Sequence, residues 1–189
     1  MAIVVITAPP VTEPVLLADA KAACRVDQSL EDGLITALIT AARLRIETEL
    51  GLCLIATGVS EWRDAWGPTH LRGGLTLARG PLIGVSAVAI ADSWRNFHTL
   101  DPGYYAPLPG SWPPEVGATA LAIIQPTARS AGLRIDYTAG FGTTADTVPQ
   151  PLKQAILALV AWSYDHRDAP DPPLSAAGPW LDAWRRARL

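Results

Sequence analysis

Three stretches of this sequence hold residues whose type and spacing could do chemistry. Gly140-Phe-Gly142-Thr-Thr-Ala145 fits the pattern G-x-G-x-x-A. Between a strand and a helix such a run can cradle a pyrophosphate, because glycine lets the backbone approach and the helix N-terminus offers N–H groups. The context here is partial. The run follows the alternating segment Leu133 to Ala139, but the next helix is better begun at Pro149. No second parallel strand follows to complete a βαβ unit. The acidic residue about 20 positions on, Asp165, falls at a helix end rather than a strand tip. A strand-to-helix turn accounts for the glycines, and a small nucleotide-binding enzyme using Gly140 to Ala145 stands as an alternative from another class.

Asp165-His166-Arg167-Asp168 sets a histidine among carboxylates, the residue types of a general base and its partner. Adjacent residues on a helix point in different directions, however, and no Ser or Cys nucleophile is placed against the histidine. A polar helix end, with His and Arg favoured by the macrodipole, explains the run. Cys24 and Cys53 fall in separate elements, and His70, His98 and His166 in unrelated contexts, without the paired spacing of a metal site. Both cysteines read as small buried hydrophobes in a reducing cytoplasm. There is no P-loop lysine motif, no His-Glu-x-x-His and no zinc-finger pattern. The expectation is a protein that is not an enzyme and has no cofactor or metal.

One helix must organise the surroundings of these residues. After Pro149 and Pro151, Leu152, Ile156, Leu159, Val160 and Ser163 recur at three- and four-residue steps. Leu157, Ala161 and Tyr164 widen that face until little of the middle is polar. A helix apolar on most sides must be surrounded, so a core post is expected over about 150–167, before the breakers Pro170, Pro172 and Pro173. Leu17 to Cys24 is Ala-rich and suits a short helix. Ser29 and Asp32 have capping-box spacing ahead of a long helix, about 30–50, that Gly51 stops. Its apolar stripe runs from Leu34 and Ile35 to Ile46 and Leu50, and Arg43, Arg45, Glu47 and Glu49 fall on the opposite face.

From about 55 to 139 the character changes. Short β-prone runs recur at Thr57 to Trp62, Leu75 to Ala78, Ile83 to Ile90, Ala120 to Gln125 and Leu133 to Ala139. Ser93 to Pro114 holds Trp94, Phe97, Tyr104, Tyr105 and Trp112 among turn residues and reads as hairpin plus loop. The middle is therefore a small antiparallel β unit inserted between two helical parts. Ile3 to Ile6 suits a short strand or an extended arm. Beyond Asp168 a Pro- and Ala-rich linker leads to Pro179, which opens a last short helix. There Trp180 and Trp184, four apart, share a face, and Arg185, Arg186 and Arg188 make the end basic. A docking element and a helix folded back on its own domain both fit this tail.

Length and charge bound the class. At 189 residues the chain is one domain of ordinary size with an appendage. A net charge of −3 gives no footprint for wrapping nucleic acid. No signal-peptide pattern and no membrane-length apolar run is present, so a soluble intracellular chain is expected. Hydrophobic residues at 49% and seven Trp are rich for a small soluble monomer, as subunit interfaces or a simple Ala-rich composition would make it.

The order of parts resembles the head–tail connector (adaptor) family of long-tailed phages and related gene transfer agents. Leu17 to Asp27, LADAKAACRVD, is similar to the family's opening L-x-x-A-K-x-x-L-R-V-D, with Cys24 in place of the usual Leu. Glu31 to Arg43, EDGLITALITAAR, resembles its E-D-x-L-I-x-x-L-I-x-A-A-R helix. Arg79 to Val88, RGPLIGVSAV, looks like its G-P-x-x-x-V-x-x-V strand, and Ser93-Trp94-Arg95 replaces a more typical Asp-Gly turn. Asp136 to Gly142, DYTAGFG, then Val148-Pro149 and the helix to Arg167, resemble Y-x-A-G-Y-G followed by V-P and an apolar helix ending in Y-x-x-R. These stretches span Leu17 to Arg167, and the order and spacing carry more than any one of them.

The resemblance implies a structural, non-enzymatic protein of α+β class, mainly α: a helical bundle with an inserted small antiparallel β unit and a C-terminal docking segment. It implies a single connector domain over 1–168, with 169–189 as linker and tail. Family members form rings, commonly dodecamers, between the portal protein and a stopper or tail terminator protein, with DNA only as passing cargo and no membrane. On that basis Trp180, Trp184, Arg185, Arg186 and Arg188 are the candidates for portal docking. Trp94, Phe97, Tyr104, Tyr105 and Trp112 are the candidates for contacts with neighbouring subunits or the tail side. A stopper or tail-completion protein of the same particle is the alternative nearest to this reading.

Overall fold

The computed structural model describes residues 2–66, 75–108, 110–111, 113–118, 126–128, 130–168 and 173–184. In chain order the strands are β1 (Ile3–Ala8), β2 (Thr57–Arg63), β3 (Leu75–Thr76), β4 (Leu82–Ala91), β5 (Phe97–Thr99), β6 (Tyr105–Leu108), β7 (Glu115–Ala118) and β8 (Leu133–Ala139). The α-helices are α1 (Leu17–Cys24), α2 (Asp32–Leu50), α3 (Gln150–Asp165) and α4 (Gly178–Leu181). They divide into two compact units, Met1–Pro10 with Ala56–Phe141, and Val11–Ile55 with Gly142–Leu189.

Strict alternation makes β8 the centre of the first unit. Leu133, Ile135, Tyr137 and Ala139 are buried, and Arg134, Asp136 and Thr138 between them are half-buried, the period of a strand with one fully covered face. β8 pairs antiparallel with β2 in unbroken register from Thr57 opposite Ala139 to Arg63 opposite Leu133. On its other edge it pairs antiparallel with β4, whose register shifts between Leu82 and Gly84 and between Val85 and Ala87. β1 and β5 complete the order β1-β2-β8-β4-β5, and a second antiparallel sheet runs β3-β7-β6.

In the second unit α3 is the post that its apolar spacing predicts. Leu152, Ala155, Ile156, Leu159 and Val160 are buried, and the helix packs against α1, α2 and α4. α2 ends at Gly51, whose φ of 68° is the left-handed cap that glycine adopts without a Cβ clash. Its start differs from the expected capping box. Glu31 holds the cap position with no side-chain cap bond, and Asp32, the acid of the expected box, accepts from Lys21 Nζ at 2.6 Å. Glu31 in turn accepts from the Tyr164 hydroxyl and from Arg167 Nη2 at 2.7 Å, tying the start of α2 to the end of α3.

The mainly α helical bundle is corrected by this structure. Among the described residues eight strands form two antiparallel sheets and there are four α-helices, so the β part is no small insertion and the fold is not a helical bundle. Two features hid this. The N-terminal strand β1 lies about fifty residues from its partner β2, a separation periodicity cannot bridge; β6 lies inside the Ser93 to Pro114 stretch that reads as hairpin plus loop, and its partner β7 follows directly after it. The strand expected at Ala120 to Gln125 lies outside the described residues. Among those described, no helix is long and apolar enough to cross a membrane.

Candidate functional site

The glycine run is a turn. Gly140 has φ of 145°, a region L side chains rarely adopt, and donates its N–H to Pro81 O at 2.8 Å. At Gly142 a Cβ would meet the Thr147 side chain at 2.6 Å, so that position demands glycine for packing. A one-turn 3-10 helix, Ala145–Thr147, intervenes before α3. β8 is antiparallel to both its neighbours, and among the described residues no βαβ unit surrounds the run, which removes the structural basis of the nucleotide reading.

The polar end of α3 is equally occupied. His166 contacts the Trp162 carbonyl through Nδ1 at 2.9 Å and stacks on the Trp162 ring at 4.4 Å between centroids. The Arg167 guanidinium lies 4.6 Å over the Tyr164 ring. Burial pushes the Cys24 thiol up, with the Asp165 charge adding to it, the opposite of an activated thiolate. Cys53 is buried. Among the described residues no group of three or more His, Cys, Asp and Glu is placed to hold a metal.

The aromatic candidates separate by exposure. Trp94 is 83% exposed at the tip of the β4–β5 hairpin. Its turn is closed by Asp92, whose Oδ1 accepts from the N–H groups of Trp94 at 2.8 Å and Asn96 at 2.9 Å. Arg95 takes the left-handed φ of 66° that a glycine would otherwise supply. These bonds hold the Asp92 carboxyl down to about 2, the Asn96 N–H foremost. Phe97 is exposed at the sheet margin beneath the Arg134 guanidinium, 5.2 Å from the ring centroid. Tyr104 is half-buried and Tyr105 is buried in the second sheet. Trp112 lies outside the described residues.

At the C-terminal end α4 folds onto α3 within its own unit. Ala177 and Leu181 are fully buried, while Trp180 stays 37% exposed and Trp184 half-buried. Arg185, Arg186 and Arg188 lie outside the described residues.

Two features escaped sequence reasoning. Arg43 and Glu47, assigned to the solvent face of α2, are buried. Arg43 donates to Glu13 Oε2 at 2.8 Å and to Glu47 Oε2 at 3.0 Å. The second is β1, where Ile3, Val5 and Ile6 stand exposed on a sheet edge. Its β-branched run was visible in the sequence; its edge position was not.

No protein-family model matches the chain, and no curated protein matches it. Solved structures do. The chain is similar to one in the virion of the native gene transfer agent particle, at 22% identity and a TM-score of 0.79, covering 99% of this chain and 97% of that one. It is similar to a chain in the neck of the empty particle with C6 symmetry, at 25% identity and TM-score 0.77 over 100% and 97%. A chain in the neck of the native particle with C12 symmetry matches at 24% identity and TM-score 0.69 over 94% and 96%. These likenesses extend over nearly the whole of both chains. The fold is shared from end to end.

Proposed function

We propose that the protein is a structural subunit of a phage-like particle, and within it the head–tail connector (adaptor) that forms a ring under the portal. The observation that carries this is the likeness to a gene transfer agent neck chain over 100% of this chain and 97% of the other. The motifs from Leu17 to Arg167 support the connector role independently of the fold. Ring assembly, with a dodecamer as the working stoichiometry, agrees with necks of C6 and C12 symmetry. DNA passes through the lumen as cargo, and a chain with net charge −3 offers it little to bind. The site of action is the head–tail interface, after assembly in the host cytoplasm.

In this reading the C-terminal segment docks on the portal through Trp180 and Trp184, with Arg185, Arg186 and Arg188 beyond them. Trp94 and Phe97, with the half-buried Tyr104 and with Trp112, serve contacts with neighbouring subunits or with the stopper or tail terminator; Tyr105, buried in its own sheet, drops out of that set. Exposed aromatic and Arg residues are what interface hot spots use.

The test is negative-stain microscopy of the purified chain, alone and mixed with the portal of the same particle. Rings, free or on the portal only, are expected, and Trp180→Ala with Trp184→Ala should abolish portal attachment while the chain stays folded. A chain that ignores the portal but binds the tail terminator would be a stopper or tail-completion protein instead. A monomer with neither affinity overturns the proposal.

A further inference from the structure

α2 is apolar on two sides, and its own chain covers one of them. Ile35, Ile39, Ala42, Ile46 and Leu50 are buried, and the helix packs on α1 and α3. On the outer side Leu34, Ala37, Ala41, Leu44 and Thr48 are exposed and recur at three- and four-residue steps, which makes one straight ridge. Leu34 is 39% exposed and Leu44 51%, and Leu30, just ahead of the helix, is 90% exposed. From Gly33 to Ala42 the helix carries no charge on any side. A helix with so little polarity on its outer face is normally enclosed there too.

The same unit holds an open groove of about 430 Å³ between α1 and α3. Val15, Ala22, Ala23 and Leu157 line it, with Asp19, Lys153 and two glutamines among them. α1, α2 and α3 pack on one another, and no α2 residue lines the groove. The groove and the outer ridge of α2 therefore point away from each other. Their charges are complementary. Glu49, exposed at the C-terminal end of the ridge, and Lys153 in the groove have no ion-pair partner among the described residues.

We infer that the α2 ridge of one copy seats in the α1–α3 groove of the next, joining subunit to subunit around a ring. The inference rests on the ring reading proposed above. The small Ala22 and Ala23 in the groove, and Ala37 and Ala41 on the ridge, let the helices approach closely, with Leu44 filling the groove. Lys153 supplies the cation that Glu49 lacks. A closed ring needs a heterologous joint, two unlike surfaces meeting at every boundary; ridge on ridge would be isologous and stop at a dimer. An unlike pair on opposite sides of one unit meets that need, and the necks holding chains of this fold have cyclic C6 and C12 symmetry.

Substitutions at solvent-facing positions test the joint in the full-length chain. Leu44→Glu disables the ridge and Ala22→Glu the groove, with circular dichroism and the thermal midpoint confirming the fold; Ala41→Glu serves if Leu44→Glu unfolds. Each variant alone should lose rings, by mass photometry and by microscopy with and without portal. Mixed in equal amounts they should form dimers and nothing larger, because only the ridge of one variant and the groove of the other remain intact. Glu49→Lys and Lys153→Glu should each raise the concentration for half-assembly about tenfold, and both together in one chain should bring it back. A change in fold would not produce that rescue. Rings that survive Leu44→Glu and Ala22→Glu, a mixture without dimers, or a double reversal without rescue overturns the joint while leaving the ring reading standing. Leu44→Glu rings that form but no longer hold the portal would give the ridge to the portal and overturn it likewise. Wild-type chain that makes no ring even on the portal overturns both.

Discussion

Tyr137 donates its hydroxyl to Glu61 at 3.0 Å inside the five-stranded sheet, where Glu61 is fully out of solvent. The carboxylate also accepts from the Ala78 N–H at 2.9 Å and from Arg63 Nε at 2.6 Å, and the phenol oxygen accepts from the Arg79 N–H at 3.2 Å. One buried charge on β2 thereby fixes the 78–79 backbone to the sheet. Buried charges are tolerated only when paired and fully hydrogen-bonded.

Tyr137→Phe removes two of these bonds with almost no change in volume. A loss of about 1–3 kcal/mol is expected, measured by urea denaturation. Glu61→Ala takes the carboxylate from Tyr137, Ala78 and Arg63 together and leaves Arg63 its bond to the Thr76 carbonyl; it should cost more than Tyr137→Phe, about 2–4 kcal/mol. A Tyr137→Phe protein as stable as wild type would show that the hydroxyl holds nothing.

Arg43 sits on α2 between two carboxylates, Glu13 and Glu47, and uses its fork on both. The second oxygen of Glu47 accepts the Leu54 N–H at 2.8 Å, so the cluster ties the segment before α1 and the turn after α2 to one helix. Arg43→Ala leaves the buried Glu47 and the half-buried Glu13 facing each other without their cation and should destabilise by about 2–4 kcal/mol. Arg43→Lys keeps the charge but not the planar fork, and should fall between wild type and Ala. If Lys restored full stability, charge alone would account for the site.

The sequence shows what repeats locally and hides what pairs at a distance. α2 and α3 were legible because Ile35, Ile39, Ala42 and Ile46, and Leu152, Ile156 and Leu159, recur at helical steps within a single stretch. β8 was legible by its alternation. The sheet order was not, since paired residues of β2 and β8 stand seventy or more positions apart and no local pattern names the partner. Arg43 and Glu47 looked solvated because charge usually is; only Glu13, thirty residues earlier in the chain from Arg43, explains their burial. Of the candidate contact residues, Trp94 and Phe97 could be chosen by type, but exposure is a property of the fold, and it separates them from the buried Tyr105.

The Asp92 turn makes a pH prediction. Its carboxyl lies at about 2 against an ordinary 3.8, held there chiefly by the Asn96 N–H, with His98, the Asn96 amide and the Trp94 N–H adding and partial desolvation opposing. A folded-state value below the unfolded one means the turn favours the ionised form. Its stabilisation is therefore complete above about 3.8 and is lost as pH falls through about 2. The Asp92 carboxyl carbon should titrate near 2 by NMR, and the Trp94 and Asn96 amide protons should shift in the same range. Asp92→Asn should flatten that response; a wild-type midpoint near 3.8 would show a turn that does not grip the carboxylate.

Neighbours in sequence on α4, Leu181 and Trp180 should behave oppositely when truncated. Leu181 is fully buried where α4 packs on α3, and Leu181→Ala should cost about 2–5 kcal/mol through lost burial and the cavity left behind. Trp180 keeps 37% of its surface in solvent, so Trp180→Ala should cost less than Leu181→Ala in thermal denaturation. On portal-bearing particles the order should reverse per unit of stability lost: Trp180→Ala chain that is folded should fail to be retained, whereas Leu181→Ala chain should be retained in proportion to the fraction folded. If retention instead follows stability for both variants, Trp180 belongs to the packing of α4 and the docking surface lies elsewhere.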